Sequence, residues 1–464
     1  MATNLKPYGE YKDTEYDWLG DVPEHWKRVT VRSITKLSNE RNGTRDDLEL
    51  LSVYREYGVI RKSSRDDNHN VESQDLSNYK FVDNGYIVLN KMKMWQGSLG
   101  VSKYRGIVSP AYIVCKLVGE LNFKYIHYLL RSPQFKTQYN RISYGVRIGQ
   151  WDMRYDDFKN IKLYLPPLDE QEQIVKYLDS QLAKINKFIK SKKKLISVLK
   201  EQKQAVINEA VTKGINPNVK MKPSGVDWLS DIPEHWEVRR LKNLGKATIG
   251  LTYSPADLVD ETGTLVLRSS NIKDGRIELS NNVFVKKDIP EKLRTKINDI
   301  LICSRNGSRE LVGKSAMIDK TSAGLSFGAF TTVFRSEYNT FLFQVFNSML
   351  FKYQCGTFFT STINQLTINN LNRLVVPFPP VKEQEEIVSH LINETKVFDK
   401  GIETIEREIY LITEYRTRLI SDVVTGKVDV RNAIVDEIIE VDIEIDEKEL
   451  NDNDEVVDSE ECEV

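Results

Sequence analysis

The stretch of this chain that looks most like chemistry is "NGSRELVGKS", Asn306 to Ser315, which ends as a phosphate-binding loop ends. Such a loop needs four residues between its glycines, so that successive backbone N–H groups converge on one phosphate. Gly307 and Gly313 enclose five, which puts the cradle out of register. What remains is a turn after a strand-like run, with Arg305, Asn306, Ser308 and Arg309 as donors suited to phosphates or base edges. Histidine offers no second route. His25 and His235 recur inside one repeated motif, His127 and His390 fall on helical patterns and His69 in a polar loop, so no metal-ligand spacing such as H-E-x-x-H arises. A base beside a carboxylate could be read at Glu24-His25 and Glu234-His235, but each pair precedes a tryptophan, Trp26 or Trp236, and packing of those rings is the favoured reading. No G-x-S-x-G elbow and no G-x-G-x-x-G loop occurs, and no Asn or Asp precedes a Pro-Pro-aromatic run. Cys115, Cys303, Cys355 and Cys462 form no C-x-x-C pair, so buried single thiols are expected.

The elements that would position these side chains come in duplicate. "YDWLGDVPEHW" from Tyr16 returns as "VDWLSDIPEHW" from Val226, and "LPPLDEQEQIVKYL" from Leu165 returns as "FPPVKEQEEIVSHL" from Phe378. "VINEAVTKG" from Val206 likewise matches "LISDVVTGK" from Leu419. Each half thus reads as an opening motif, a variable segment, a Pro-Pro stop that ends a strand, and a long charged helix. In the first helix Val175, Leu178, Leu182, Ile185, Ile189, Ile196, Leu199, Val206 and Ala210 alternate at steps of three and four, with Lys192 and Lys203 in the gaps. Val388, Leu391, Thr395, Phe398, Ile402, Ile405, Ile409, Ile412, Arg416, Leu419 and Val423 keep that register in the second. Periodicity sustained this long marks coiled-coil pairing of the two helices, each roughly 65 Å long at 1.5 Å per residue. An antiparallel pair would place the two variable segments at opposite ends of the rod.

Both variable segments read as mixed α/β. An apolar strand runs into a polar loop at "GYIVLNKMKMWQGSLG" from Gly85 and at "NDILICSRNGSRELVG" from Asn298. A second strand follows, "AYIVCKL" from Ala111 and "AFTTVFR" from Ala329, and then a helical patch, "FKYIHYLLRS" from Phe123 and "TFLFQVFNSMLFKYQ" from Thr340. The expected fold is α+β: two mixed α/β domains in a pseudo-twofold repeat, joined by two long helices in an antiparallel coiled coil. The expected boundaries are 1–165 for the first domain, 166–214 for the central helix, 215–378 for a linker and the second domain, 379–430 for the distal helix and 431–464 for an acidic tail.

A formal charge of -1 conceals an asymmetry. Fifteen of the 67 acidic residues, but only Lys448 of the 66 basic ones, lie between Asp436 and Val464, which leaves an excess of 13 positive charges before the tail. That excess suits a polyanionic partner, although well-spread surface lysines would give the same sum. The tail is expected to be a solvated, disordered extension, with DNA mimicry or charge tuning as the second reading. "MATNLKPYGEYKD" has no apolar core and no apolar run approaches the roughly 18 residues of a membrane helix, so a cytoplasmic protein without membrane contact is expected.

Two divergent segments that open with P-E-H-W and close in P-P-x-x-E-Q-E-x-I-V plus a long helix resemble the specificity subunit of type I restriction-modification systems, over nearly all of the chain up to about Arg431. The resemblance implies that each variable segment is a target-recognition domain reading half of a bipartite double-stranded DNA sequence. It implies that the helices set the spacing between half-sites and dock methyltransferase subunits, two of them, with restriction and translocase subunits joining the complex. No catalysis and no cofactor are expected on this chain; S-adenosylmethionine, ATP and Mg would reside on partner subunits. The seam that sets the spacing is assigned to Leu178, Leu182, Ile185, Ile189, Leu199, Leu391, Phe398, Ile402, Ile405 and Ile409.

DNA-contacting candidates follow from the loops. In the first segment these are Lys91, Lys93 and Gln96 after the strand, with Arg147, Gln150 and Arg154 around a Gly-containing turn, while the neighbouring Trp95 reads as core. In the second, Arg268, Ser269 and Asn271 join Arg305, Asn306, Ser308 and Arg309, with Asn364 and Gln365 before the final strand. Arg with guanine and Asn or Gln with adenine are the pairings base reading uses; the competing reading of each residue is a solvated loop group. Two other classes compete for the whole chain: a fused enzyme acting alone, which would need the missing cofactor and catalytic motifs, and a coiled-coil scaffold indifferent to DNA.

Overall fold

β-branched and apolar runs make the central strands, and paired prolines decide where the strands stop and the long helices start. In the computed structural model the residues described are 6–64, 75–145, 151–359 and 364–435. The chain divides into two units, Met1–Lys192 with Arg407–Glu463, and Lys193–Glu406.

In the first unit β1 (Lys27–Thr30) leaves the opening motif and is followed by β2 (Thr35–Leu37), β3 (Tyr86–Leu89), β4 (Leu99–Val101) and β5 (Ile113–Leu117). The last four make an antiparallel sheet in the order β2-β5-β3-β4, with Cys115 opposite both Ile87 and Leu37. Helices α1 (Phe123–Leu130) and α2 (Pro133–Ile142) follow, and β6 (Lys162–Leu165) returns to pair with β1. Pro166-Pro167 then end that strand, and α3 (Leu168–Lys213) begins.

The second unit repeats the plan with β7 (Glu237–Arg240), β8 (Lys246–Ile249), β9 (Ile300–Cys303), β10 (Ser315–Met317) and β11 (Thr331–Arg335). Its sheet runs β8-β11-β9-β10, strand for strand the order of the first unit, and all four residues of β9 are buried. Helices α4 (Asn339–Phe346) and α5 (Met349–Gly356) follow, and β12 (Val375–Phe378) pairs with β7 before α6 (Val381–Val424). The units differ between the strands they share. A second four-stranded sheet, built from Leu258–Val259, Thr264–Leu267, Val283–Val285 and Ser326–Phe327, stands in the second unit, where the described residues of the first form short two-stranded pieces.

Along α3 and α6 every seam position assigned from sequence is buried or half-buried, whereas Lys187, Ser191, Lys194 and Glu201 between them are exposed. The helices pack antiparallel. In the first unit Arg416 Nη1 is 3.5 Å from Asn186 Oδ1 and Lys192 Nζ is 2.6 Å from Glu408; in the second, Lys203 Nζ is 2.5 Å from Asp399. The division between the units falls inside both helices, so each helix contributes one half to each core. Leu178, Leu419 and Val423 belong to the core of the first unit, and Ile207, Val211 and Leu391 to that of the second.

Cys115, Cys303 and Cys355 are free and buried, while Cys462 lies outside the described residues. Burial pushes the thiols up, to about 12, 11 and 12 respectively, which keeps them protonated and unreactive. Among the described residues no helix is long and apolar enough to cross a membrane. The tail from residue 436 and His69 lie outside the described residues.

Candidate functional site

Two arrangements recur in both units, and the first explains the duplicated motifs. Trp26 is fully buried, and its indole Nε1–H donates to Glu170 Oε1 at 3.0 Å, while His25 Nε2 lies 2.7 Å from Glu170 Oε2. Glu170 occupies the first turn of α3, where a carboxylate also meets the positive end of the helix. The Tyr8 hydroxyl donates to the same carboxylate at 2.7 Å, and burial, followed by that contact, holds the phenol above its ordinary range. In the second unit Trp236 Nε1–H donates to Glu383 at 3.0 Å and His235 Nε2 lies 2.7 Å from it, in the first turn of α6. The neighbouring Gln171 and Gln384 donate to Pro166 O and Pro379 O. Each P-E-H-W motif therefore clamps its domain to the start of the helix that follows.

Each tryptophan also fits the end of the other helix. α6 stops at Gly426 and α3 at Gly214, both left-handed with φ of 77° and 79°, as helix-ending glycines commonly are. A Cβ at Gly426 would lie 2.4 Å from Pro23 and 3.1 Å from Trp26, so the close approach there needs glycine, while one at Gly214 would crowd Trp236 at 3.3 Å. The reading of the repeated Trp26 and Trp236 as packing is borne out, while Glu24 and Glu234 are exposed and each histidine meets the carboxylate of the helix that follows. The anchoring carboxylates Glu170 and Glu383 were not singled out from sequence, although their repetition in P-P-x-x-E-Q was the available signal.

The second arrangement gathers the variable loops. In the first unit the loop after β3 carries Lys91, Lys93 and Gln96, and the segment before β6 carries Arg154; Met153 N–H donates to Lys91 O at 3.1 Å and joins the two. Trp95 and Trp151 meet edge-to-face at 5.1 Å and, with Met92, line an open recess between Lys91 and Gln96. Trp95 is thus half-buried and faces the recess instead of sitting wholly in the core. Lys91 pairs with Asp152 at 2.7 Å, and the Arg154 guanidinium lies 4.9 Å from the centre of the Tyr144 ring. Arg147 and Gln150 lie outside the described residues.

In the second unit the equivalent bond runs from Leu366 N–H to Ser304 O at 2.7 Å. It brings Asn364 and Gln365 against the loop after β9, where Arg305 and Gln365 form a backbone bridge. Asn364 Nδ2 donates to Gly307 O at 2.9 Å, and Asn306 Oδ1 accepts from Ser308 N–H at 2.9 Å. Arg309 donates to Gly356 O at 3.1 Å and lies over Phe359. Arg305 lies over Phe330, 5.3 Å from the ring centre. The Arg268–Asn271 turn approaches the same edge, since Gly328 N–H, two residues before Phe330, donates to Leu267 O at 2.9 Å. Asn271 stands apart: it is fully buried, and its amide donates to Glu278 O and Ser280 O, so it shapes this turn from inside instead of presenting a side chain to solvent. Arg268 donates to Asn281 O at 3.0 Å. Sequence reading missed the rings that support these donors, Tyr144, Trp151, Phe330 and Phe359, because nothing in their local pattern marks them.

The two edges share a scaffold and differ in most of their side chains. The first presents lysines, Gln96, two indoles and Arg154 over Tyr144; the second presents three arginines, amides and the exposed ring of Phe330. Among the described residues no group of three or more His, Cys, Asp or Glu side chains is placed to hold a metal ion.

A family model described as the type I restriction modification DNA specificity domain matches residues 23–198 and again 233–413. A specificity subunit of the type I restriction enzyme MjaVIII from Methanocaldococcus jannaschii is 26% identical over 438 residues, covering 89% of this chain and 95% of its own. The EcoKI specificity subunit of Escherichia coli K12 is 26% identical over 276 residues, 57% of this chain and 56% of its own. A solved structure titled as the structural basis underlying complex assembly and conformational transition of the type I R-M system has a TM-score of 0.61, covering 88% of this chain and 99% of that one at 14% identity.

Proposed function

Because the chain belongs to the type I restriction-modification DNA specificity family and is a specificity subunit with two recognition domains, we propose that the loop edge of each unit reads one half of a bipartite target in double-stranded DNA. The observation that carries this reading is the equivalent pair of backbone bonds, Met153 to Lys91 and Leu366 to Ser304. In both units they hold a variable, donor-rich loop at the same place on a common sheet. A fixed frame with exchangeable side chains is what different half-sites require, since base edges are told apart by donor and acceptor patterns. The positive excess before residue 436 supplies the sequence-independent attraction to phosphates.

The paired helices set the distance between the half-sites and dock two methyltransferase subunits. Ile392 and Val397, 58% and 74% exposed on α6, are apolar side chains off the seam and suit such a contact. The chain is not itself catalytic; S-adenosylmethionine serves the methyltransferase partners, and ATP and Mg serve a restriction subunit that joins through the complex. The protein acts in the cytoplasm, where its DNA is. The test is an exchange of residues 27–164 for the same region of a relative, in a complex reconstituted with methyltransferase subunits. One half of the methylated target is expected to change, with the other half and the spacing intact. A change in both halves, or no sequence-selective binding by the unaltered complex, would refute the reading.

A further inference from the structure

We propose that Arg305, held against the ring of Phe330, reads a guanine in the half-site of the second unit. The assignment rests on the DNA-reading function proposed above and goes further by naming one residue and one base.

Four features single Arg305 out. Its backbone is pinned on both sides: its N–H donates to Phe330 O at 3.1 Å, and it bridges to Gln365. Ser304 beside it donates its N–H and its hydroxyl to the same Phe330 carbonyl, at 2.9 and 3.0 Å. Its guanidinium lies 5.3 Å from the Phe330 ring centre, a contact that orients the planar fork before any ligand arrives. Among the described residues that guanidinium has no hydrogen-bonding or ionic partner. Four of the candidates around it have side-chain bonds of their own, Arg309 with Gly356 O, Arg268 with Asn281 O, Asn306 with Ser308 N–H and Asn364 with Gly307 O. An exposed, pre-oriented fork with free donors matches the O6 and N7 acceptors of guanine in the major groove.

Phosphate is the competing ligand, and two observations speak against it. Phe330 is 51% exposed, and an apolar ring gains nothing beside a phosphate, whereas it can pack on a thymine methyl in the groove. The comparison with the first unit is stronger. The residue after the carbonyl that receives the equivalent backbone bond is Arg305 in the second unit and Met92 in the first, where it is 65% exposed. A place that faced the DNA backbone would call for a cation in both units. One that faces bases is free to carry a fork in one unit and an apolar group in the other.

The experiment uses the full chain assembled with its methyltransferase subunits, after the methylated target has been mapped. Binding is measured to a set of duplexes in which each target position is varied, for the unaltered protein, Arg305→Ala, Arg305→Lys and Phe330→Leu. Arg305→Ala is expected to lose roughly tenfold or more of its discrimination at one G·C pair of the second half-site, with every other position unchanged. Arg305→Lys keeps the charge and should lose most of the same discrimination. Phe330→Leu should lose part of it. Replacing that guanine by 7-deazaguanine, which lacks N7, should weaken the unaltered complex and leave Arg305→Ala unaffected. Uniform weakening of Arg305→Ala across all sequences with a shallower salt dependence would make Arg305 a phosphate contact and overturn the assignment. A second half-site without a G·C pair would overturn it outright, while the two-reader function would stand. Loss of sequence selection in the unaltered complex would instead overturn that function, and the assignment with it.

Discussion

The indole of Trp26 donates to Glu170 at 3.0 Å, and that of Trp236 donates to Glu383 at the same distance, so one carboxylate in the first turn of each long helix anchors the opening motif of its domain. Glu170 has three partners in Trp26, Tyr8 and His25, and its side chain is 5% exposed; Glu383 has two and is 22% exposed. Glu170→Ala is therefore expected to destabilise the first unit by about 2–4 kcal/mol, since it leaves the Trp26 and Tyr8 donors buried without an acceptor. Glu383→Ala should cost less. Denaturant unfolding followed by tryptophan fluorescence checks both values, and equal costs would contradict the difference in burial and partners.

Arg416 sits half-buried on the seam, and desolvation lowers its guanidinium from the ordinary value, with Asn186 Oδ1 3.5 Å away. Among the described residues it has no carboxylate partner, and a desolvated cation without one is a net cost, so Arg416→Met is expected to leave the melting temperature unchanged or raise it. Ile405→Ala on the same helix removes well-buried methyl groups and should cost about 2–4 kcal/mol. Thermal unfolding of the two variants should move in different directions.

The helices are proposed to set target spacing, which makes their length a measurable variable. Inserting one heptad into both α3 and α6 at matched seam positions lengthens the pair by about 10 Å, close to three base pairs at roughly 3.4 Å each. The mapped target of the variant should keep both half-sites and gain about three base pairs between them. An unchanged spacer would separate the helices from the ruler role.

His127 accepts the Val101 N–H on Nδ1 at 3.2 Å, and burial, reinforced by the Arg131 charge, lowers it to about 3. Its folded-state value lies below the unfolded value near 6.5, so below that pH the unfolded chain binds a proton the native chain refuses. The stabilisation is complete above pH 6.5 and is lost as pH falls toward 3, at no more than about 1.4 kcal/mol per pH unit. His127→Gln, which keeps an acceptor for Val101, should show a shallower fall in first-unit stability over that window. Parallel pH profiles for the two proteins would exclude His127 as a contributor.

Lys93 is exposed on the loop after β3. Lys93→Ala in the assembled complex should weaken binding by a similar factor on every sequence and reduce the log–log salt slope by about one, as loss of a single phosphate contact does. A change confined to one target position would make it a base reader instead.

Much of this could be read from the linear chain. Heptad steps of three and four dictated which side chains of α3 and α6 face inward, because a sustained 3.5 period leaves one stripe to bury, and Leu178, Ile185, Leu391 and Ile405 are buried as that stripe requires. The doubled P-E-H-W and P-P-x-x-E-Q motifs announced two units with one architecture. "YIVL" and "ILIC" likewise announced the central strands of their sheets, since β-branched apolar runs fit a covered pleated surface. Tertiary structure decided which polar residues are free to act. Asn271 and Arg305 looked alike as donors after a strand, yet one is spent inside a turn and the other lies open over Phe330. That difference depends on partners 7 and 25 residues away in the chain, at Glu278 and Phe330, brought near by sheet pairing. The same holds for Glu170, whose anchoring role needed Trp26, 144 residues upstream, to arrive at the start of its helix. Local spacing encodes which face of an element is buried. The satisfaction of an individual donor is settled only when distant segments meet.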